Sequence, residues 1–282
     1  MIRTYQGKSQ KDCAGKALRF LFLAAASLSF FQACTTVPVT GRRELNLVSS
    51  GDEVQLGLSS FDQLKKDTPV NHDPDINAMV QRVGKKIAEI ASKDMAGAQW
   101  EFVVFESKEA NAFCLPGGKV GVYTGLLPIA KTDAGLATVL GHEVGHAVAH
   151  HGASRMSQAL VSQGVGKAAG ALVGSSKYAQ YQDTFMSVYG VGAKVAVELP
   201  YSREQESEAD HIGIIYMARA GYDPKEAVEF WKRFAAYNQQ QGSSPSFFSK
   251  FLSTHPVDTV RIADLEKLLP EAEGEFGRSR LR

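Results

Sequence analysis

Cysteine is scarce in this chain of 282 residues: there are three, at positions 13, 34 and 114, and no C-x-x-C pair. That excludes a disulfide-stapled scaffold and a metal or redox site built from thiolates. Charge of one sign is also missing, because 31 basic residues face 30 acidic ones for a formal net charge of +1. Without a basic excess or a basic stripe, nothing points to a nucleic-acid partner. No glycine loop of the phosphate-cradling kind and no repeat of fixed period occurs. Past the first 33 residues the chain also lacks an apolar run fit to span a bilayer. The Gly-, Ala- and Ser-rich stretch 159–199 carries a small-xxx-small series at Gly166, Gly170 and Gly174. Gln163 and Lys167 interrupt it, so it reads as a segment linking two motifs and lying over a cleft between them.

The opening of the chain is different. Lys11, Lys16 and Arg19 precede or begin an apolar run from Ala17 to Phe31, the pattern of a cleavable signal peptide. The run ends at Ala33-Cys34, which resembles a bacterial lipobox. The expectation is a signal peptide over 1–33 and lipidation at Cys34. Thr35, not aspartate, follows the cysteine, and the resemblance then implies a lipid anchor in the outer membrane, with the protein facing the periplasm of a Gram-negative cell. Loss of residues 1–33 removes five basic groups and one acidic group, shifting the formal charge from +1 to −3. Cys114 would then stand alone, with no intramolecular disulfide. The remaining chain divides into a linker over 34–50, one domain over 51–270, and a polar tail over 271–282 expected to fray.

The most specific chemistry lies at His142-Glu143-Val144-Gly145-His146, an H-E-x-x-H pattern. Positions four apart share one face of a helix, so both imidazoles reach one metal ion. Glu143 then sits beside the metal, where a base acting on metal-held water belongs. The surroundings are helical: Leu136, Val139, Leu140, Val144 and Val148 form an apolar stripe, and Thr132 and Asp133 offer an N-cap. A third histidine six residues past His146 would mark a different subclass, and that position is Gly152. His151 falls off the ligand face and His150 lies a further turn along, so both read as supporting or surface residues.

Catalytic metal sites of this kind use three protein ligands and keep one open position. The segment Ser202 to His211 offers carboxylates, and Ser202 with Gln205 forms a capping box that starts a helix. Glu206 and Asp210 share one face, which suits a ligating carboxylate and a second one orienting a ligand histidine through its free ring N–H. Spacing alone leaves Glu204, Glu206 and Glu208 open as the ligand.

The H-E-x-x-H pentapeptide followed by Ser202-Arg203, Glu206 and Ala209-Asp210 resembles the HtpX-type zinc peptidases, gluzincins that include the CAAX prenyl proteases and the bacterial LoiP and BepA proteins. Two further blocks match: Asn111-Ala112-Phe113-Cys114-Leu115-Pro116-Gly117-Gly118 and Thr254-His255-Pro256. The stretch from Cys34 to Arg43 is similar to the start of mature LoiP-type lipoproteins. Gly135 departs from the family pattern, which carries an acidic residue before the zinc helix. The resemblance implies one Zn²⁺ per chain held by His142, His146 and Glu206, with Glu143 as catalytic base and Asp210 in support. It places Asn111, Ala112 and Phe113 near substrate, and makes His255 a fourth ligand that holds the enzyme latent or a donor to the developing oxyanion. The implied fold is α+β and helix-rich, a zincin-like domain with a small sheet beside the H-E-x-x-H helix. The implied function is a zinc metalloendopeptidase acting on misfolded or misassembled cell-envelope proteins. The competing class is a non-catalytic, zinc-bound chaperone or assembly factor, which would have no need of Glu143.

The rest of the domain reads plainly. Trp100 to Phe105, Ala112 to Leu115 and Val120 to Tyr123 are strands, the last two around a Pro116-Gly117-Gly118 turn. Gly221-Tyr222-Asp223-Pro224 stops one helix and starts another. Ala227, Val228, Phe230, Trp231 and Phe234 belong to the core, as do Ile76, Met79, Val80, Val83 and Ile87.

Overall fold

Three strands and the helices around them bring the two motifs face to face. The structure, a computed structural model, describes residues 34–46, 48–162, 182–189, 191, 202–241, 255–256 and 259–281. A short hairpin leads, with β1 (Cys34–Thr36) antiparallel to β2 (Arg43–Leu45). Helix α1 (Ser50–Asp67) is capped by the Ser49 side chain, and α2 (Pro74–Ala91) by Asp73 with proline at its first turn. The sheet follows: β3 (Glu101–Phe105), β4 (Ala112–Leu115) and β5 (Lys119–Tyr123), in the order β3-β5-β4. Central β5 is parallel to β3 and antiparallel to β4, and the turn between β4 and β5 uses Gly117 and Gly118 at φ 85° and 81°.

Helix α3 (Asp133–Val148) carries the H-E-x-x-H residues, and Thr132 caps it through the amide of Gly135. A side chain at Gly135 would run into the carbonyl of Ala130, so the position is glycine for lack of room. Helices α4 (His151–Ser162) and α5 (Gln182–Val188) follow. Helix α6 (Arg203–Arg219) begins with the expected capping box of Ser202 and Gln205. Helix α7 (Lys225–Gln241) starts after Gly221, at φ 82°, with Asp223 accepting from the amide of Lys225. The last helix is α8 (Thr259–Ser279). Among the described residues no helix is long and apolar enough to cross a membrane.

The main core packs α2, α3, α6, α7 and α8 on one face of the sheet and contains Trp231, Tyr216 and Phe230. A second core under α1 and α5 gathers Phe61, Phe105, Phe113 and Phe185. The closest packing is between α3 and α6. A Cβ on Gly141 would lie 2.7 Å from the carbonyl oxygen of Gly213, and one on Gly145 would lie 2.8 Å from that of Ala209. This small-residue crossing seats α6 directly on the H-E-x-x-H helix.

Two expectations change. The tail from Glu271 does not fray: it continues α8 to Ser279, because Ala272 is buried and Glu275 pairs with Arg219 at 2.8 Å. Gly166, Gly170, Gly174 and most of the segment expected to lie over the cleft fall outside the described residues, as do the signal segment 1–33 and Thr254.

Candidate metal centre

Helix α3 buries every residue from Gly135 to Val148, so its histidines are held from all sides. Among the described residues, one ligand atom from each of His142, His146, Glu206 and His255 lies within 4.8 Å of the others, and all four residues are buried. His142 Nε2 and His146 Nε2 are 3.0 Å apart. Glu206 Oε1 is 3.2 Å from His146 Nε2 and 2.8 Å from His255 Nδ1. His255 Nδ1 is 3.3 Å from His142 Nε2. The Glu143 carboxylate is buried beside them. Its Oε1 has no hydrogen-bond partner, and His255 Nε2 is 3.7 Å away.

The donor set fits a divalent cation. Three ring nitrogens and one carboxylate oxygen gather within 4.8 Å of one another, away from water. Burying that many acceptors costs free energy unless a cation or shared protons compensate. Nitrogen and oxygen ligands of this kind suit zinc and other borderline ions. Of the three carboxylates left open by spacing, Glu206 lies in this cluster, and Glu208 pairs with His151 at 2.9 Å.

Two of the three rings, those of His142 and His146, are held from behind. His142 Nδ1 donates to Asp210 Oδ1 at 2.9 Å, the kind of contact the Glu206–Asp210 spacing suits. Arg261 on α8 was not anticipated. Its Nε donates to Asp210 Oδ2 at 2.6 Å, its Nη1 lies 2.6 Å from Glu206 Oε2, and its guanidinium stacks 3.9 Å over the Trp231 ring. No sequence signal marks it, since a lone arginine early in an amphipathic helix looks like surface. His151 is fully buried, with its Nδ1 2.8 Å from His146 Nδ1 and its Nε2 2.9 Å from Glu208 Oε2. Of the two readings open for it, the structure selects support. His150, in the left-handed region at φ 54°, pairs with buried Glu53 on α1 at 2.8 Å instead. Glu53 also accepts from Tyr189 at 3.0 Å.

The charges follow from this packing. Burial lifts the carboxyl of Glu143 to about 8, the nearby Glu206 adding to it while His142 opposes. Burial works against protonating His142, but Glu206 and Asp210 outweigh it and raise the ring to about 9. Burial lowers His146 well below the ordinary imidazole range and His255 to about 4. Glu206 is held far below the usual carboxylate range despite its burial, by His255 and Arg261.

The residues expected to face substrate are also buried. Asn111, Ala112 and Phe113 have almost no exposed surface, and the Phe113 ring packs against Phe61, Phe105 and Tyr123 at about 6.2 Å. Phe113 is therefore core. Strand β4 pairs with β5 and lies at one edge of the three-stranded sheet.

Comparison with known proteins agrees with the site. The sequence profile described as Peptidase family M48 matches residues 74–269. The chain is 35% identical over 273 residues to "Mitochondrial metalloendopeptidase OMA1" of Schizosaccharomyces pombe, covering 94% of this chain and 76% of the relative. It is 32% identical over 282 residues to the protein of that name in Saccharomyces cerevisiae, covering 95% and 78%. With the "Beta-barrel assembly-enhancing protease" of Escherichia coli it shares 24% over 258 residues, or 90% and 51%.

These relatives correct the expected address. The placement in a bacterial periplasm, anchored to the outer membrane through Cys34, is overturned, because the relatives of higher identity are named as mitochondrial proteins. The physical reason is that a basic, apolar, acid-poor leader is shared by several targeting routes, so charge and hydropathy do not separate them. The finer likeness to LoiP-type lipoproteins is not carried by these relatives either. In the structure Cys34 begins β1, its main chain opposite Leu45.

Proposed function

The chain belongs to peptidase family M48, and on that premise we propose that this metallopeptidase is a zinc endopeptidase with His142, His146 and Glu206 as metal ligands and Glu143 as its base. The observation that carries the roles is the unpartnered Glu143 Oε1, buried beside three imidazoles and a carboxylate that converge within 4.8 Å. Bound zinc would supply Lewis acidity, polarising a peptide carbonyl and making water a stronger acid.

The chain's own residues do the rest. Asp210 holds the proton on His142 Nδ1, leaving Nε2 free as a ligand atom. Glu143 takes a proton on its open oxygen. That proton comes from the attacking water, and Glu143 passes it to the leaving amine. The main chain of β4 is the element suited to align an extended peptide by strand addition. His255 acts as a fourth ligand that closes the site at rest. Its Nδ1, 2.8 Å from Glu206 Oε1 and 3.3 Å from His142 Nε2, supports this over a role as oxyanion donor. Misfolded or misassembled proteins are the substrates we favour, a reading supported by the name of the beta-barrel assembly-enhancing relative.

Cleavage of casein by wild type, Glu143→Gln and His255→Ala tests this. Glu143→Gln is expected to keep its zinc and lose about 10²–10⁴ in rate. His255→Ala is expected to cleave faster than wild type. Cleavage by Glu143→Gln at the wild-type rate would falsify the base assignment, and slower cleavage by His255→Ala would replace the closing ligand with a donor.

A further inference from the structure

A chain of contacts runs from the candidate ligand His146 to the surface at the beginning of the described chain. His146 Nδ1 and His151 Nδ1 are 2.8 Å apart, so one proton must lie between them. His146 Nε2 points into the donor cluster, 3.0 Å from His142 Nε2. If it offers a lone pair there, the proton of the neutral ring sits on Nδ1. That N–H donates to His151 Nδ1, which must then be unprotonated. The proton of His151 therefore sits on Nε2 and donates to Glu208 Oε2 at 2.9 Å. Glu208 completes the chain as an acceptor: Arg42 Nε donates to its Oε2 at 2.6 Å, and the Thr40 hydroxyl donates to its Oε1. One protonation pattern satisfies every link.

The hairpin end is built for this contact. Thr40 and Arg42 lie in the turn between β1 and β2, closed by the Val37 amide on the Arg42 carbonyl at 2.8 Å and the Gly41 amide on Val37 at 2.9 Å. Val37 is buried in the main core, which docks the turn. Val39 takes φ 68°, a conformation that a β-branched residue adopts only when its surroundings impose it.

We propose that His151 and Glu208 are positioning residues for His146, and that the Thr40–Arg42 turn completes the metal centre from outside by locking Glu208. The proposal rests on the metal-ligand reading of His146. It means that a segment far from both motifs, expected to be a linker, sets how tightly the site holds its ion.

The test is the zinc dissociation constant of the full chain, measured by chelator competition, with thermal unfolding as a check on folding. Loss of a supporting partner to a ligand histidine weakens metal binding by about 10–100-fold. That loss is expected for His151→Leu. His151→Gln, which keeps one acceptor and one donor, should recover part of it, a rescue that mere filling of space does not predict. Arg42→Ala changes a half-exposed residue and should weaken binding less. The same substitution made in Glu208→Gln should add nothing. Wild-type affinity in a folded His151→Leu, no rescue by His151→Gln, or an Arg42→Ala effect that persists unchanged in Glu208→Gln would overturn the proposal while leaving the metal reading intact. Wild type that takes up no zinc would overturn both.

Discussion

The two histidines of the H-E-x-x-H helix are supported from opposite ends of the chain and by different physics. His142 is backed by a charge: Asp210 touches its ring directly, and Arg261 on the last helix neutralises Asp210 and Glu206 together at 2.6 Å from each. His146 is backed by a second imidazole, and charge arrives only one residue later, at Glu208. The first support is wholly buried and anchored on Trp231, while the second ends at Arg42, whose side chain is 36% exposed. A direct carboxylate makes a ring a stronger base, and a histidine relay mainly fixes its orientation and tautomer. The centre is thus tuned electrostatically from the C-terminal side and positioned from the N-terminal side.

The sharpest way to break this contrast is Arg261→Met. Without a metal, the substitution leaves Glu206 and Asp210 as adjacent buried carboxylates with His142 as their remaining counter-charge, a change that costs about 3–5 kcal/mol. Zinc would replace part of the lost positive charge, so the cost should shrink in loaded protein. The equivalent cut at the other end, Arg42→Ala, removes a half-exposed pair and should cost about 0–1 kcal/mol. Urea unfolding with chelator and with zinc measures both. Equal losses for the two arginines would erase the distinction, and an Arg261→Met loss indifferent to zinc would show that the guanidinium does not act as a counter-charge.

A substitution between the supports should damage both alike. Gly213→Ala puts a Cβ 2.7 Å from the amide nitrogen of His142, forcing α6 away from α3 and carrying Glu206, Glu208 and Asp210 with it. Overpacking of this kind costs about 1–3 kcal/mol. Zinc binding should weaken together with stability, read by chelator competition and urea unfolding on one preparation. A folded Gly213→Ala protein with wild-type zinc affinity would mean that the helix crossing does not set ligand spacing.

Much of this was legible in the sequence, for reasons that also explain what was not. The H-E-x-x-H helix, the Ser202 capping box, the strands and the Glu206–Asp210 pairing depend on neighbours within about one helical turn, where periodicity and capping rules operate. The supports depend on residues far apart. Arg261 is 51 residues from Asp210, and Arg42 is 166 from Glu208. A single sequence carries no sign of such pairings. Gly141 and Gly145 lay inside the motif, yet their meaning as the landing site for Ala209 and Gly213 appears only when the two helices cross. His151 was judged by its angle on an ideal helix, but the chain turns through His150 at φ 54° and swings His151 back onto His146. The side-chain direction of Phe113 was not legible either: the strand lies where the pattern puts it, and the ring faces the second core.

The smallest effect is the acid response of the N-terminal support, and it isolates that support best. Burial works against ionising Glu208, but hydrogen bonds from His151, Thr40 and Arg42 outweigh it and hold the carboxyl at about 2, against an ordinary 4.5. A folded-state value below the unfolded one means that the ionised group stabilises the fold above 4.5 and that this contribution is lost as pH falls from 4.5 towards 2. Glu206 and Asp210 are also lowered, so the whole protein weakens in acid, and the wild-type curve alone would not identify the source. The difference between wild type and Glu208→Gln does. In metal-free protein it should be largest at neutral pH and close steadily over that window, because protonated Glu208 and glutamine become equivalent neutral partners for His151. Part-exposure of Arg42 screens the pair, which keeps the effect below that of Arg261. A wild-type advantage that stays constant from neutral pH to 2 would mean that Glu208 supports the hairpin by shape and not by charge.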